Sequence, residues 1–170
     1  YRLYNTNDYY CNKILIKTDG IEFELNDSVN NEQYYINSKL IGRHNIYNLL
    51  IVYAVLKELN ISKDKIIPYL ESLINFENRL EIKYYNSLTI LNDSYNANIN
   101  GFNNAMEVLS LFEGEKYIIT PGIVETGVIT KDVIFKMASQ IIKICDFCYI
   151  IDNKNTKFFI ICCNIRLFQI

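Results

Sequence analysis

The densest cluster of groups able to hold a small polar ligand is Asn92-Asp93-Ser94-Tyr95-Asn96-Ala97-Asn98, which follows a strand-like run and precedes a helix-like one. In open α/β sheets, ligands sit beyond the carboxyl ends of strands, where the start of a helix also offers backbone N–H groups. A carboxylate such as Asp93 at that point can accept hydrogen bonds from ribose hydroxyls. The same residue types serve equally as turn and cap residues, so Asp93 and Asn98 have a purely structural reading beside the functional one.

A second cluster, Gly42-Arg43-His44-Asn45-Ile46-Tyr47-Asn48, opens a helical pattern. Asn45 and Asn48 are three residues apart and fall on neighbouring ridges of one face. Two amides on one helix edge can read the donor and acceptor pattern of a purine. Alternatively, Asn45 is a cap and His44 a surface residue. His44 is the single histidine of the chain, so a Ser-His-Asp arrangement would have one possible base and no supporting motif. Cys145-x-x-Cys148 has the spacing of a metal or redox pair, but no second pair and no further His complete a four-ligand zinc site. With Cys11, Cys162 and Cys163, these thiols are expected to be reduced and mostly structural. The stretch from Thr120 to Gly127 is a strand-exit loop with two glycines that matches no phosphate-cradling pattern, and no Gly-x-x-x-x-Gly-Lys-[Ser/Thr] occurs anywhere.

The elements that must position these groups follow from hydrophobic rhythm. Half of the 170 residues are hydrophobic and 21% are charged, which suits one sizeable core or two small ones and excludes disorder. A formal charge of −2 provides no basic field for a nucleic-acid backbone. No apolar run reaches the roughly 20 residues of a membrane span, and residues 1–20 lack the plan of a signal peptide. No nucleic-acid or membrane partner and a cytoplasmic address are therefore expected.

Residues 13–17 and 20–25 read as a two-stranded hairpin in which Ile21, Phe23 and Leu25 alternate with Glu22 and Glu24. From His44 the period becomes helical, with Ile46, Leu49, Leu50, Tyr53 and Leu56 on one side and an end near Asn60. Ser62 is expected to cap a second helix, which Pro68 threatens to interrupt. Residues 79–85 and 88–92 read as a strand pair around Asn86-Ser87. A helix follows with Phe102, Ala105, Met106 and Leu109 inward, then a strand at 116–120, a helix with Ile134, Met137, Ala138 and Ile141 inward, and a closing strand at 147–151. Strands alternating with amphipathic helices predict an α/β domain with a mainly parallel sheet covered by helices. The segment before residue 78 has too few predicted strands to bury its own faces and is expected to be the tail of a domain that begins upstream.

Taken in order, these pieces resemble the Mur ligases. The resemblance rests on Gly42-Arg43-His44-Asn45-x-x-Asn48 at a helix start, Asn78-Arg79-Leu80-Glu81 opening a domain, Asn92-Asp93-Ser94-Tyr95-Asn96-Ala97-Asn98 after its second strand, and Pro121-Gly122-Ile123-Val124-Glu125-x-Gly127 after the third. Four motifs in register over residues 20–151 are specific where each alone is modest. The resemblance implies that residues 1–77 end a central ATP-binding domain and that residues 78–170 are a Rossmann-like C-terminal domain, incomplete at its end.

It further implies a nucleotide-binding set of His44, Asn45, Asn48, Asp93 and Asn96. Asn48 is the better candidate for direct contact with adenine, and Asp93 would hold the ribose. Arg79, the catalytic candidate, would reach toward the terminal phosphate, where a guanidinium stabilises charge spreading over phosphoryl oxygens. The cofactors would be ATP and Mg2+, with the magnesium ligands outside this stretch. The implied reaction is carboxylate attack on the γ-phosphate to give an acyl phosphate, then amine attack and loss of phosphate.

The Tyr95-Asn96-Ala97-Asn98 run tilts the resemblance toward the members that join D-alanyl-D-alanine to a UDP-muramoyl-peptide in peptidoglycan synthesis, acting as monomers. Ligases of the same superfamily acting on folate or a polyamino acid, and a non-catalytic nucleotide-binding remnant, are the alternatives. Ile99 stands where the family usually has Pro and Asn92 where a second Asp is common. The tail from residue 153 is expected to lack the family's further strand and helix. Without the phosphate loop, this stretch by itself is expected to be inactive.

Overall fold

The computed structural model describes residues 8–95, 98–122, 131–151 and 167–169. The chain divides into two compact units, Tyr1–Glu81 and Ile82–Ile170.

The first unit contains an antiparallel sheet of β1 (Tyr9–Ile16), β2 (Ile21–Asp27) and β3 (Glu32–Ser38), in that order, followed by helices α1 (His44–Glu58) and α2 (Lys63–Ser72). The expected hairpin is thus a three-stranded meander. In β3, sequence Glu-Gln-Tyr-Tyr-Ile-Asn-Ser, only Ile36 is a fully buried aliphatic residue, so the strand carries little alternation to read. One face of the sheet is buried within this unit, while Leu15 and Tyr35 stay exposed. Ile21, Phe23, Leu25 and Ile36 of the sheet pack with Ile46, Leu49, Leu50 and Tyr53 of α1 and Ile66 and Leu70 of α2. A group of this size contributes roughly 1.5–3 kcal/mol per fully buried large side chain.

Helix α1 ends as Asn60 foretells. Asn60 takes φ +58, its N–H donates to the Lys57 carbonyl, and the Ile61 N–H returns to the Leu56 carbonyl, closing a Schellman motif. Helix α2 runs through Pro68 without a break. Proline removes the donor to the carbonyl four residues back, which is that of Asp64 in the first turn, and a short helix tolerates the loss. Ser62 occupies the cap position of α2, but its hydroxyl bonds to Asp64 Oδ2 at 3.3 Å rather than to a helix N–H.

At the far end of this sheet, the Asp27 carboxylate is fully buried and ringed by donors. Tyr53 Oη is 3.0 Å away, the Asn30 N–H and side-chain amide are at 3.0 and 2.8 Å, and Lys57 Nζ is at 3.7 Å. A buried charge persists only when it is satisfied in this way. Beside it, Glu32 accepts from Lys63 Nζ at 2.7 Å and from the Tyr34 hydroxyl. The Lys63 hydrogen bond, and after it that of Tyr34, holds the Glu32 carboxyl down from its ordinary 4.5 to about 2. A carboxyl whose pKa is lower folded than unfolded stabilises the fold above its unfolded value and loses that contribution as pH falls through the folded value. Thermal unfolding followed by calorimetry should therefore show a midpoint that drops as pH falls from about 4.5 to 2, with the drop shallower in Glu32→Gln.

The second unit contains a two-stranded sheet, β4 (Glu81–Tyr85) with β5 (Leu88–Asn92), and then α3 (Ile99–Leu109), β6 (Tyr117–Thr120), α4 (Lys131–Ile144), β7 (Phe147–Ile150) and β8 (Leu167–Gln169). Asn86, at φ +53, begins the two-residue turn of the hairpin. Strands β6, β7 and β8 form a separate parallel sheet in that order.

The expected strand pair around Asn86-Ser87 forms, as a sheet of its own. Two expectations change here. A further strand follows Phe147–Ile150, in the tail expected to lack one. The strands of the parallel sheet are also not equally buried on both faces. Met106 of α3 and Ile134, Met137, Ala138 and Ile141 of α4 cluster with Cys148 and Ile150, whereas Tyr117 and Ile119, which alternate with them, stay exposed. Tyr117 stacks on Phe147 at 4.6 Å on that open side, which keeps the rings partly dry.

Cys145 and Cys148 belong to the buried cluster, and Cys11 belongs to that of the first unit. Burial pushes the Cys11 and Cys145 thiols up to about 11, so both are protonated and weak nucleophiles at neutral pH. Cys162 and Cys163 lie outside the described residues. No helix among the described residues is long and apolar enough to cross a membrane.

Candidate functional site

The start of α1 is built around Gly42. Its φ is +95°, and a Cβ there would lie 2.6 Å from Leu80 Cδ1 and 2.9 Å from the His44 ring. Only glycine allows this turn together with that approach. The Gly42 carbonyl accepts the Asn45 N–H at 3.0 Å, and Arg43 occupies the cap position without a side-chain cap bond.

Asn45 is therefore not the helix cap. It is 8% exposed and uses both ends of its amide inside the protein: Nδ2 donates to the Ile41 carbonyl at 2.8 Å, and Oδ1 accepts from Asn48 Nδ2 at 2.9 Å. Asn48 is exposed, and its carbonyl oxygen and second amide hydrogen are left to meet a ligand. A donor and an acceptor on one planar group is the pattern that matches an adenine edge. His44 is exposed at the same helix start, beside Gly42, and the Asn45–Asn48 pair does not include it.

Arg79 sits in a tight turn leading into β4. Its neighbours Asn78 and Leu80 take φ +62 and +47, left-handed values that a bulky residue adopts only when its surroundings impose them. Leu80 is 2% exposed beside Gly42, and Glu81 Oε2 accepts the Asn78 N–H at 3.0 Å. These ties hold residues 78–81 to the first unit, which ends at Glu81. The Arg79 N–H donates to the Phe76 carbonyl at 3.1 Å, and its own carbonyl accepts from Asn75 Nδ2 at 2.9 Å. Asn75 Oδ1 in turn accepts the Ile41 N–H at 2.6 Å. Asn75 escaped the sequence reading because an Asn between helix and strand carries no periodic or motif signal.

In the second unit, Asp93 is half-buried at the exit of β5, followed by exposed Ser94 and Tyr95. Asn98 is the cap of α3, its Oδ1 accepting the Gly101 N–H at 2.8 Å. The structural reading of Asn98 holds, and one of the helix-start N–H groups expected to be open to a ligand is thereby taken. Asn96 lies outside the described residues. In the loop after β6, the Gly122 N–H donates to Thr120 Oγ1 at 3.0 Å, while residues 123–127 are again outside the described set. Between α3 and α4 a groove of about 400 Å³ is lined by Ile99, Asn103, Phe135 and Gln140 among others, and none of the candidate residues is on it. Among the described residues, no three His, Cys, Asp or Glu side chains are grouped so as to hold a metal ion.

No family model matches the chain. A curated relative, the UDP-N-acetylmuramoyl-tripeptide–D-alanyl-D-alanine ligase of Buchnera aphidicola, is 31% identical over 119 residues, which are 69% of this chain and 25% of the relative. The chain resembles the Mur ligases. Its partial coverage fits a piece from their C-terminal part. A crystal structure of the Mur ligase MurF from Acinetobacter baumannii superimposes on 98% of the chain with a TM-score of 0.84 at 18% identity, using 36% of that protein. MurF from Thermotoga maritima, solved in complex with ADP, matches 97% of the chain with a TM-score of 0.77 at 16% identity, using 37% of its own length. At such identities these structures establish a shared α/β Mur-ligase fold. The chain thus spans about a quarter to two fifths of the Mur ligases it matches.

Proposed function

We propose that this chain is the C-terminal part of an ATP-dependent, amide-bond-forming ligase of peptidoglycan precursor synthesis. The longer protein would be cytoplasmic and monomeric, and would join D-alanyl-D-alanine to a UDP-muramoyl-tripeptide. Residues 1–77 would end its ATP-binding domain, and residues 78–170, with their parallel sheet, would be its Rossmann-like C-terminal domain. The observation that carries the reading is the similarity to a curated relative whose name states that reaction. The Asn45–Asn48 pair supports the nucleotide part, because Asn45 turns both its ends inward and leaves Asn48 an exposed donor and acceptor.

In the proposed reaction, the tripeptide carboxylate attacks the γ-phosphorus of ATP and ADP departs, leaving an acyl phosphate. The amine of D-alanyl-D-alanine then attacks the acyl carbon, phosphate leaves, and a proton is lost from nitrogen. Asn48 is assigned to the adenine edge with Asn45 fixing its orientation, His44 flanks that helix start, Asp93 and Asn96 are assigned to the ribose side, and Arg79 to the phosphoryl oxygens. Magnesium would be held by ligands outside this stretch, since no set of side chains among the described residues is grouped to hold a metal ion.

The test is phosphate release by the full-length protein. Release from ATP should require both UDP-muramoyl-tripeptide and D-alanyl-D-alanine. Release driven instead by a folate or a polyamino acid would overturn the substrate assignment, and ATP binding without turnover on any of these would mark a non-catalytic remnant.

A further inference from the structure

We infer that Asn75 is a positioning residue that fixes Arg79 relative to the start of α1, so that the arginine and the Asn48 amide are held by one continuous hydrogen-bonded frame. The inference rests on the nucleotide roles proposed for Asn48 and Arg79. Its basis is the pattern of bonds around one residue, Ile41. The Ile41 N–H is taken by Asn75 Oδ1 at 2.6 Å, and the Ile41 carbonyl by Asn45 Nδ2 at 2.8 Å. Asn75 Nδ2 also reaches that carbonyl at 3.4 Å while donating to the Arg79 carbonyl at 2.9 Å. Asn45 Oδ1 continues the chain to Asn48 at 2.9 Å. The frame therefore runs Asn48, Asn45, Ile41, Asn75, Arg79, all within the first unit.

Arg79 has reason to need such a tie. It lies between two non-glycine residues with left-handed φ, Asn78 at +62 and Leu80 at +47. Such conformations cost free energy and persist only where surrounding contacts over-determine them. Leu80 is anchored by burial and Asn78 by Glu81 Oε2. At Arg79 the carbonyl bond comes from the Asn75 side chain, thirty-four residues from Ile41 in sequence but adjacent in space. An amide suits the position because it alone combines an acceptor for one backbone N–H with donors for two carbonyls.

The test uses the full-length protein carrying Asn75→Ala, Asn75→Asp, Arg79→Ala and the double variant Asn75→Ala with Arg79→Ala. Phosphate release, the Michaelis constant for ATP and the thermal midpoint are read for each. Asn75→Ala should lower kcat about tenfold with KM for ATP within about twofold, since small misplacements of a catalytic group cost rate more than binding. Asn75→Asp keeps an acceptor for the Ile41 N–H and loses the donor to Arg79, so it should show the same loss of kcat at a near-native midpoint. In the Arg79→Ala background, Asn75→Ala should cost nothing further in kcat.

Additive losses in the double variant would overturn the inference while leaving the role of Arg79 intact. So would a wild-type kcat in Asn75→Asp, or failure of both Asn75 variants to fold, either of which would make Asn75 a packing residue only. A wild-type kcat in Arg79→Ala would instead show that the functional reading itself had failed, and the inference with it.

Discussion

Arg79→Ala in the full-length protein should lower kcat for phosphate release by about 100-fold or more while changing the Michaelis constant for ATP little. A guanidinium aimed at a phosphoryl group interacts most strongly when negative charge has spread over the equatorial oxygens, which is the transition state rather than bound ATP. Loss of such a contact appears in kcat and in kcat/KM together. Lys at this position should recover only part of the rate, because an ammonium replaces the charge but not the planar fork. Steady-state phosphate release at saturating muropeptide and dipeptide measures both quantities. A variant with raised KM and native kcat would move Arg79 to ground-state binding, and native values for both would remove it from the site. Arg79 is exposed while the backbone on either side of it is pinned by Leu80, Asn75 and Glu81, so its replacement should leave folding close to native.

The second large effect is expected at Asp93. Asp93→Ala should weaken ATP binding by about 10- to 150-fold in calorimetric titration, since each hydrogen bond to a charged acceptor contributes about 1.5–3 kcal/mol. Asp93→Asn, which keeps an acceptor but not the charge, should lie between alanine and wild type. Because ribose contacts are shared by ground and transition states, kcat at saturating ATP should fall much less than affinity does. Undiminished affinity in Asp93→Ala would leave Asp93 as a turn residue at the exit of β5, the reading its residue type also supports. The two variants therefore separate by kind: Arg79 through turnover, Asp93 through binding.

Arg79 lies just before β4 and Asp93 just after β5, outside the regular elements, which were the legible part of the chain. The stripe Ile46, Leu49, Leu50, Tyr53 predicted α1, and all four residues are buried. The set Ile134, Met137, Ala138, Ile141 predicted the inward face of α4 equally well. Amphipathic helices announce themselves because one face must leave water and the period repeats over several turns. Strand β3 did not, since its residues satisfy the sheet with tyrosines and polar groups that bond to Glu22, Glu32 and Glu71 rather than with alternating aliphatics. The pairing of β4 with β5 was legible from the Asn86-Ser87 turn between them, whereas the addition of β8 beside β7 was hidden, because a strand's sequence does not say which edge it will join.

At the candidate site the division falls between residue types and their partners. Local sequence determined that Gly42 would turn the chain into α1, that Asn60 would end that helix, that Asn98 would cap α3, and that Asn45 and Asn48 would share a helix edge, because each depends on groups within about one turn of the chain. Only the tertiary structure decided that Asn45 turns inward to Ile41 while Asn48 stays out, that Leu80 fills the space a side chain on Gly42 would need, and that Asn75 ties Ile41 to Arg79. The contacts of Leu80 with Gly42 and of Asn75 with Ile41 join residues more than thirty positions apart, so no short window of the sequence contains both partners. Their geometry exists only once the sheet β1–β3 and helices α1 and α2 have closed on a common core.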